Sequence, residues 1–81
     1  MAKQRRLPKV HYKQLIKAWG YAHLEKNYIE LSVSLRGRKH LEILIHEHLH
    51  ILLPAYDEEY IVEMSKEMSK LLIKEGYHRG T

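Results

Sequence analysis

The 81-residue sequence contains no cysteine, so disulfide bonds cannot stabilise its fold. It also has no apolar run of transmembrane length, and no apolar segment follows the charged N-terminus as it would in a secretory signal. No internal repeat or low-complexity segment is visible. These absences are compatible with a cytoplasmic protein that has no membrane contact.

Hydrophobic residues make up 44% of the chain, which is enough for a globular fold. We expect a basic tail over residues 1–8 and a single domain over residues 9–81. A core this small lies near the lower limit of independent stability. A bound metal ion or a second subunit, as in a homodimer, would therefore be a natural supplement to it.

The net charge of +4 is concentrated in two basic clusters. They consist of Lys3, Arg5, Arg6 and Lys9, and of Arg36, Arg38 and Lys39. One aromatic residue, Tyr12, lies near them in the sequence, and no known nucleic-acid-binding motif is present. Solvated tail and turn residues are thus favoured, and a nucleic-acid partner is a minor alternative.

The first half of the chain has the patterns of β-strands. Residues 10–16 favour a strand over a short helix, and Trp19-Gly20-Tyr21 resembles a break that leads into a second strand. Residues 28–35 alternate, with one predicted buried face formed by Ile29, Leu31, Val33 and Leu35. We therefore predict an α+β fold with a small antiparallel sheet at roughly residues 9 to 35, followed by two helices.

Residues 39–53 contain no glycine or proline and carry apolar side chains on nearly all sides. This predicts a buried helix that ends before Pro54, because proline disfavours α geometry in the preceding residue. The alternative is a strand, in which His46, His48 and His50 would share one face. The length of the uninterrupted run favours the helix.

The last element is predicted to be an amphipathic helix. Asp57 is a candidate N-cap, Glu58 and Glu59 suit the positive end of the helix dipole, and Gly76 is placed to end the helix. A stripe at spacings of three and four is predicted to be core: Tyr60, Ile61, Met64, Met68, Leu71 and Leu72.

The sequence His46-Glu47-His48-Leu49-His50 matches the pattern H-E-x-x-H within the first predicted helix. His46 and His50 lie one turn apart and can bind one Zn²⁺, while Glu47 can accept a proton from water on the metal. His48 points elsewhere on the helix and is expected to be structural or exposed to solvent. The other histidines, namely His11, His23, His40 and His78, are expected at the surface.

A catalytic zinc site needs a third protein ligand. A metzincin would have glycine and histidine where this chain has Leu53 and Tyr56, so that class is excluded. Candidates from the next helix are Asp57, Glu58 and Glu59. Glu58 is favoured because it lies three residues before the inward-facing Ile61.

Several segments together resemble the minimal zincins that use a glutamate ligand (gluzincins). The chain is similar to SprT-like metallopeptidases and related small phage and bacterial proteins in Trp19-Gly20, Tyr28-Ile29-Glu30-Leu31, Leu44-Ile45-His46-Glu47-His48-Leu49-His50 and Pro54-Ala55-Tyr56-Asp57-Glu58-Glu59-Tyr60-Ile61. The resemblance implies a strand pair before the active-site helix and a glutamate at the start of the next helix that completes the zinc site.

The activity that the resemblance implies is hydrolysis of peptide bonds, with a peptide or protein as substrate. His46, His50 and Glu58 would then bind zinc, and Glu47 would act as the general base. Candidates for stabilising the oxyanion are Tyr56, Tyr60, Tyr77 and His78. Two other functions stay open: a zincin-like module that binds a protein or nucleic acid, and a structural zinc protein.

Overall fold

The computed structural model describes residues 6–77, so most of the predicted basic tail and His78 lie outside the described residues. The fold is α+β, as predicted: a three-stranded sheet precedes two helices. The elements are β1 (Lys9–Lys13), β2 (Gly20–His23), β3 (Tyr28–Ser32), α1 (Gly37–Leu52) and α2 (Glu58–Lys74). Within the described residues, neither helix is both long and apolar enough to cross a membrane.

The sheet is mixed, so the prediction of an antiparallel sheet is wrong for one strand pair. The strand order is β1-β3-β2, with β2 antiparallel and β1 parallel to β3. β3 is the central strand of the sheet, and its Ile29 and Leu31 are fully buried. β1 pairs along the other edge of β3 and runs in the same direction, and such a parallel pairing requires an intervening connection rather than a hairpin.

The predicted strand over residues 28–35 ends early, at Ser32. Its alternation fails at Val33, which is exposed rather than buried, whereas Leu35 is buried as expected. A turn explains the difference: the Leu35 backbone N–H donates to the Ser32 carbonyl at 3.2 Å. The Ser34 backbone N–H also donates to the Ser32 hydroxyl oxygen at 3.3 Å.

Residues 37–52 form a helix, so the strand alternative for this segment is wrong. The Leu53 backbone N–H donates to the Leu49 carbonyl at 2.7 Å, and Pro54 follows the helix end as predicted. The helix packs across the inner face of the sheet. Buried Ile29, Leu31, Leu35 and Ile51 form the centre of this contact, with Ala22, Ile43 and Leu44 around them.

Gly20 allows β2 to approach α1 closely. A Cβ atom at this position would lie 3.0 Å from Leu31 Cδ2 and 3.1 Å from Ile43 Cγ2. These distances are shorter than ordinary van der Waals contact, so a larger residue would push β2 away from the helix. Glycine thus fixes the distance between the sheet and the helix that carries the H-E-x-x-H motif.

The ends of α2 agree with the sequence prediction. Asp57 occupies the N-cap position, although its side chain makes no capping hydrogen bond. At the other end Gly76 has a φ of 93°, which favours glycine. The N–H groups of Gly76 and Tyr77 donate to the carbonyls of Ile73 and Leu72, both at 2.9 Å. This is the Schellman arrangement, and it ends the helix.

The predicted core stripe of α2 is wrong for three of its members, since Tyr60, Met68 and Leu71 are exposed. The buried side of α2 consists instead of Ile61, Ser65 and Ser69. The two serine hydroxyls donate to backbone carbonyls three residues earlier, both at 3.0 Å. Small side chains whose hydroxyls are satisfied locally can be buried where two helices approach closely, and this shifts the buried face away from the larger apolar residues.

Candidate metal centre

The two motif histidines of α1 face each other across one helical turn. His46 and His50 have their Nε2 atoms 3.2 Å apart. Their ring centroids are 4.8 Å apart, with the ring planes at 71° to each other. The spacing of four residues places both side chains on the same side of the helix, as the sequence predicts.

The first residue of α2 completes this group. The Glu58 carboxylate has Oε1 at 2.8 Å from His50 Nε2 and Oε2 at 3.3 Å from His46 Nε2. The short return between the helices makes this approach possible, with the Tyr56 backbone N–H donating to the Leu53 carbonyl at 3.1 Å. Among the three acidic candidates at the start of α2, Glu58 is the one that lies beside the histidines.

The three side chains offer a donor set that suits a divalent cation. In the part of the chain that the structure describes, one group of metal-ligating side chains has its donor atoms within 4.8 Å of one another, namely His46, His50 and Glu58. Two imidazole nitrogens and one carboxylate oxygen about 2.1 Å from a tetrahedral Zn²⁺ would lie roughly 3.4 Å apart. The interatomic distances are close to this value, so these residues fit zinc.

Exposure differs across the group. The side chains of His46 and His50 are 16% and 28% exposed, whereas that of Glu58 is 65% exposed. Beside Glu58 lies an open depression of about 670 Å³ that is lined by Asp57, Glu58, Glu59, Val62 and Glu63. The candidate centre is therefore accessible to solvent from the α2 side.

Burial lowers the pKa of His46 below its ordinary value of 6.5. The neighbouring imidazole of His50 acts in the same direction, while the carboxylates of Glu58 and Glu42 oppose it. A histidine must be neutral to coordinate a metal. The apolar surroundings of α1 thus favour the ligand form of His46.

Glu47 is half-buried next to the candidate ligands on α1. Burial raises its pKa above the ordinary value of 4.5, because a charged carboxylate is poorly solvated there. The nearby imidazole of His50 opposes this shift, and the carboxylate of Glu58 adds to it. A carboxylate with a raised pKa is a stronger base than one in water, as a general base requires.

The remaining histidines only partly follow the prediction. His11 is exposed and His23 is half-buried, but His40 is 7% exposed, so its expected surface position is wrong. The His40 Nε2 lies 2.8 Å from the Tyr12 hydroxyl. A signal in the sequence was Tyr12, which shares the inner face of β1 with Val10 and presents its hydroxyl group to His40 although the tyrosine itself is 40% exposed.

His48 lies outside the metal-type group, as predicted for a residue on a different side of α1. It is half-buried, and its Nε2 is buried without a hydrogen-bond partner among the described residues.

The oxyanion candidates Tyr56, Tyr60 and Tyr77 are exposed, and the first two contact each other with ring centroids 6.3 Å apart.

A second cluster that contains histidine and glutamate lies on the outer face of the sheet, and we call it the sheet cluster. Glu30 accepts hydrogen bonds from Lys13 Nζ at 2.8 Å and lies 3.0 Å from His23 Nε2. Tyr28 stacks on His23 with ring centroids 4.2 Å apart. This cluster had not been predicted; the pairing of β1 and β2 on opposite sides of β3 brings it together.

Comparison with protein-family models, curated proteins and solved structures found no match to this chain. The resemblance to gluzincins therefore stays an expectation based on its motifs.

Proposed function

We propose that this protein is a zinc-dependent hydrolase of the minimal zincin type that cleaves peptide bonds. One observation carries the proposal: His46, His50 and Glu58 have possible ligand atoms that all lie within 4.8 Å of one another. The H-E-x-x-H pattern supplies Glu47 beside this group, where a general base is needed.

Each side chain has a separate role in this proposal. His46 and His50 would hold the metal from α1, and Glu58 would hold it from α2. A bound Zn²⁺ supplies Lewis acidity, which polarises a carbonyl group and makes water easier to deprotonate. Glu47 takes the proton from the attacking water and later delivers it to the departing amine.

The test compares the wild type with Glu47→Gln, an isosteric change that removes the base. Glu59→Gln is the matched control, because it removes a neighbouring carboxylate outside the candidate ligand group. After zinc content is confirmed for all three proteins, cleavage of unfolded proteins and peptides is measured. Activity that survives Glu59→Gln and disappears in Glu47→Gln supports the peptidase.

The other outcomes separate the alternatives. Equal activity in the wild type and Glu47→Gln would assign cleavage to another site or to a contaminant. Equal inactivity, with zinc bound, would contradict the enzyme and favour a binding or structural role.

The second candidate function is a structural zinc site. It is favoured because the candidate ligands come from two different helices. A metal held by His46, His50 and Glu58 would tie α1 to α2. A structural site has four protein ligands, whereas a catalytic site keeps one position open. The visible spectrum of the Co²⁺-substituted protein distinguishes them: a small anion such as azide changes the spectrum at an open site and leaves a closed site unaffected.

A further inference from the structure

Within residues 6–77, neither helix covers the side of the sheet that points away from α1. α1 packs on the inner side of the sheet, and α2 packs on α1 without contacting a strand. Side chains that alternate with the buried ones therefore point away from both helices. We call this surface the outer face; it consists of Lys9, His11 and Lys13 from β1, Tyr21 and His23 from β2, and Tyr28 and Glu30 from β3.

Aromatic rings and cations are interleaved on the outer face. The strand register places Lys9 and His23 on either side of Tyr28. The ring centroid of Tyr28 is 4.2 Å from that of His23 and 5.2 Å from that of His11, so rings from all three strands are in contact. Tyr21 is 45% exposed, which leaves its ring accessible to a ligand.

Two cations lie at the end of the outer face where β3 begins. Lys9 is exposed there. Asn27 Nδ2 donates to the Arg6 carbonyl at 3.0 Å, so Arg6 lies at the same end. The carboxylate of the face, Glu30, is already neutralised by Lys13 at 2.8 Å. The outer face therefore has positive charge left for an anionic partner.

The charges of the chain are divided in the same sense. Residues 6–39 contain eight lysines and arginines and two glutamates, whereas residues 40–65 contain six acidic residues and neither lysine nor arginine. The strands are thus in the positive part of the chain, and the candidate metal centre is in the negative part. This division attracts a polyanion to the sheet and repels it from the metal centre.

We propose that the outer face binds single-stranded RNA. Lys9 and Arg6 would bind phosphate groups, and unpaired bases would stack on the rings of Tyr21 and His11. Stacking of this kind needs no particular base, because every base has an aromatic face. The interaction is separate from the proposed hydrolase and does not require a metal ion.

The chemistry of the outer face favours this partner over other polyanions. A duplex keeps its bases paired inside the helix and cannot stack them on the sheet. An acidic peptide would satisfy the cations but has no bases for the exposed rings. The Tyr21 hydroxyl and the His11 imidazole can also hydrogen-bond a 2′-hydroxyl group, which DNA lacks.

A cavity of about 450 Å³ extends this chemistry past the end of β3. Ser32 and Trp19 are among the residues that line it, and the Ser32 backbone N–H donates to the Trp19 carbonyl at 2.9 Å. Trp19 is 51% exposed, and Lys39 Nζ lies 5.7 Å from the centre of its ring. An exposed ring beside a cation can accept a further base of the same strand.

The first experiment measures fluorescence anisotropy of a short labelled RNA without self-complementarity. We expect the wild type to bind, and Tyr21→Ala to raise the dissociation constant at least roughly fivefold, the lower end of the effect of one stacked base. Tyr21→Phe keeps the ring and should retain most of the affinity. Tyr60→Ala is the matched control, because it removes an exposed tyrosine from α2.

Circular dichroism first establishes that each variant is folded. A wild type that does not bind RNA at low salt overturns the proposal. Equal weakening by Tyr21→Ala and Tyr60→Ala would overturn the assignment to the outer face.

The salt dependence tests the phosphate contacts. Each phosphate contact with a single strand contributes about 0.7 to the slope of the logarithm of affinity against the logarithm of salt concentration. Lys9→Gln should therefore reduce the slope by about 0.7. Lys66→Gln removes an exposed lysine of α2 and should leave the slope unchanged. Equal reductions would indicate attraction to net charge alone and would contradict a site on the sheet.

Competition against the labelled RNA identifies the partner. The competitors are unlabelled RNA, DNA of the same sequence, duplex RNA and polyglutamate, and we expect the single-stranded RNA to compete best. DNA that competes equally well overturns the assignment to RNA. Polyglutamate that competes equally well overturns the assignment to nucleic acid and indicates an acidic protein partner.

Discussion

Two clusters of this small protein combine histidine with glutamate, but they differ in what neutralises the carboxylate. In the sheet cluster, Glu30 is 13% exposed and has its own cation, Lys13, at 2.8 Å. In the candidate metal centre, the ion-pair partners of Glu58 among residues 6–77 are the two histidines alone. The carboxylate of the sheet cluster is thus already neutralised by a lysine. The candidate metal centre instead has three ligand atoms close together and suits an added cation.

The comparison also separates two uses of histidine. In the sheet cluster, the ring of His23 stacks on Tyr28 and reaches one carboxylate, so it joins two neighbouring strands. In the candidate centre, both Nε2 atoms point to one place within 3.2 Å of each other. Residue type alone would not distinguish these clusters; the direction of the ring nitrogens does.

The largest expected difference between the clusters is in zinc content. We expect the wild type to bind one Zn²⁺ per chain and His46→Ala to lose it, because two protein ligands are too few for a stable site. His23→Ala should retain the full content, as should His48→Ala on the same helix. Elemental analysis after purification without chelator, with added zinc, provides the measurement. Zinc loss in His23→Ala, or no zinc in the wild type, would contradict the contrast.

The next largest effect concerns the choice of carboxylate. Glu58→Gln should weaken zinc binding by more than the roughly 10–100-fold that is typical for changes next to a ligand. Glu59→Gln is the matched control and should have little effect, since its side chain is not part of the converging group. Competition with a chromophoric chelator gives both dissociation constants. The reverse ranking would show that the ligand lies one residue further along α2.

Removal of zinc should lower the melting temperature, and this effect should require the residues of the candidate metal centre but not those of the sheet cluster. At a free zinc concentration of 100 times the dissociation constant, binding adds about 2.7 kcal/mol. For a domain of this size that corresponds to a shift of roughly 10–20 °C in melting temperature. Thermal melting with and without chelator should show the shift in the wild type and in Glu30→Gln, but not in His46→Ala. Superimposable curves for zinc-loaded wild type would contradict the prediction.

Local patterns predicted much of the fold and the approach of Glu58. The spacing of His46 and His50 depends only on helix periodicity, and the phase of Glu58 depends only on its distance from Ile61. Likewise Gly76 predicted the end of α2 from its backbone freedom alone. These inferences succeeded because each depends on residues close together in the sequence.

Other features depend on which elements meet, and the sequence did not predict them. β1 pairs with β3, which is not its neighbour in the sequence, and the direction of such a non-local pairing is not encoded in local patterns. Small Ser65 and Ser69 are buried while larger Met68 is exposed, because α1 approaches α2 closely at the serines. Hydropathy predicts that the methionine is buried, but the narrow space between the helices is filled by the smaller serine side chains.

The smallest expected effect is the pH dependence of the sheet cluster. The hydrogen bond from Lys13, helped by His23, lowers the pKa of Glu30 below its ordinary value of 4.5. The same contact raises the pKa of Lys13 above 10.5. A lowered carboxyl pKa stabilises the fold above about pH 4.5 and loses this effect as the pH falls through the lower, folded-state pKa. A raised lysine pKa stabilises it below about pH 10.5 and loses this effect as the pH rises through the higher, folded-state pKa.

Glu30→Gln should therefore reduce the melting temperature between these limits and flatten its fall at acid pH. The reduction should be smaller than that caused by chelation, because Lys13 is largely exposed and solvent screens the pair. Melting curves from pH 3 to pH 8, recorded with chelator to remove any contribution from the metal, provide the measurement; Glu25→Gln, in the exposed turn after β2, is the control. The prediction is contradicted if the melting temperatures of Glu30→Gln and the wild type fall equally at acid pH. In that case folding does not lower the pKa of Glu30, and Lys13 and His23 do not stabilise its carboxylate as the contrast between the two clusters requires.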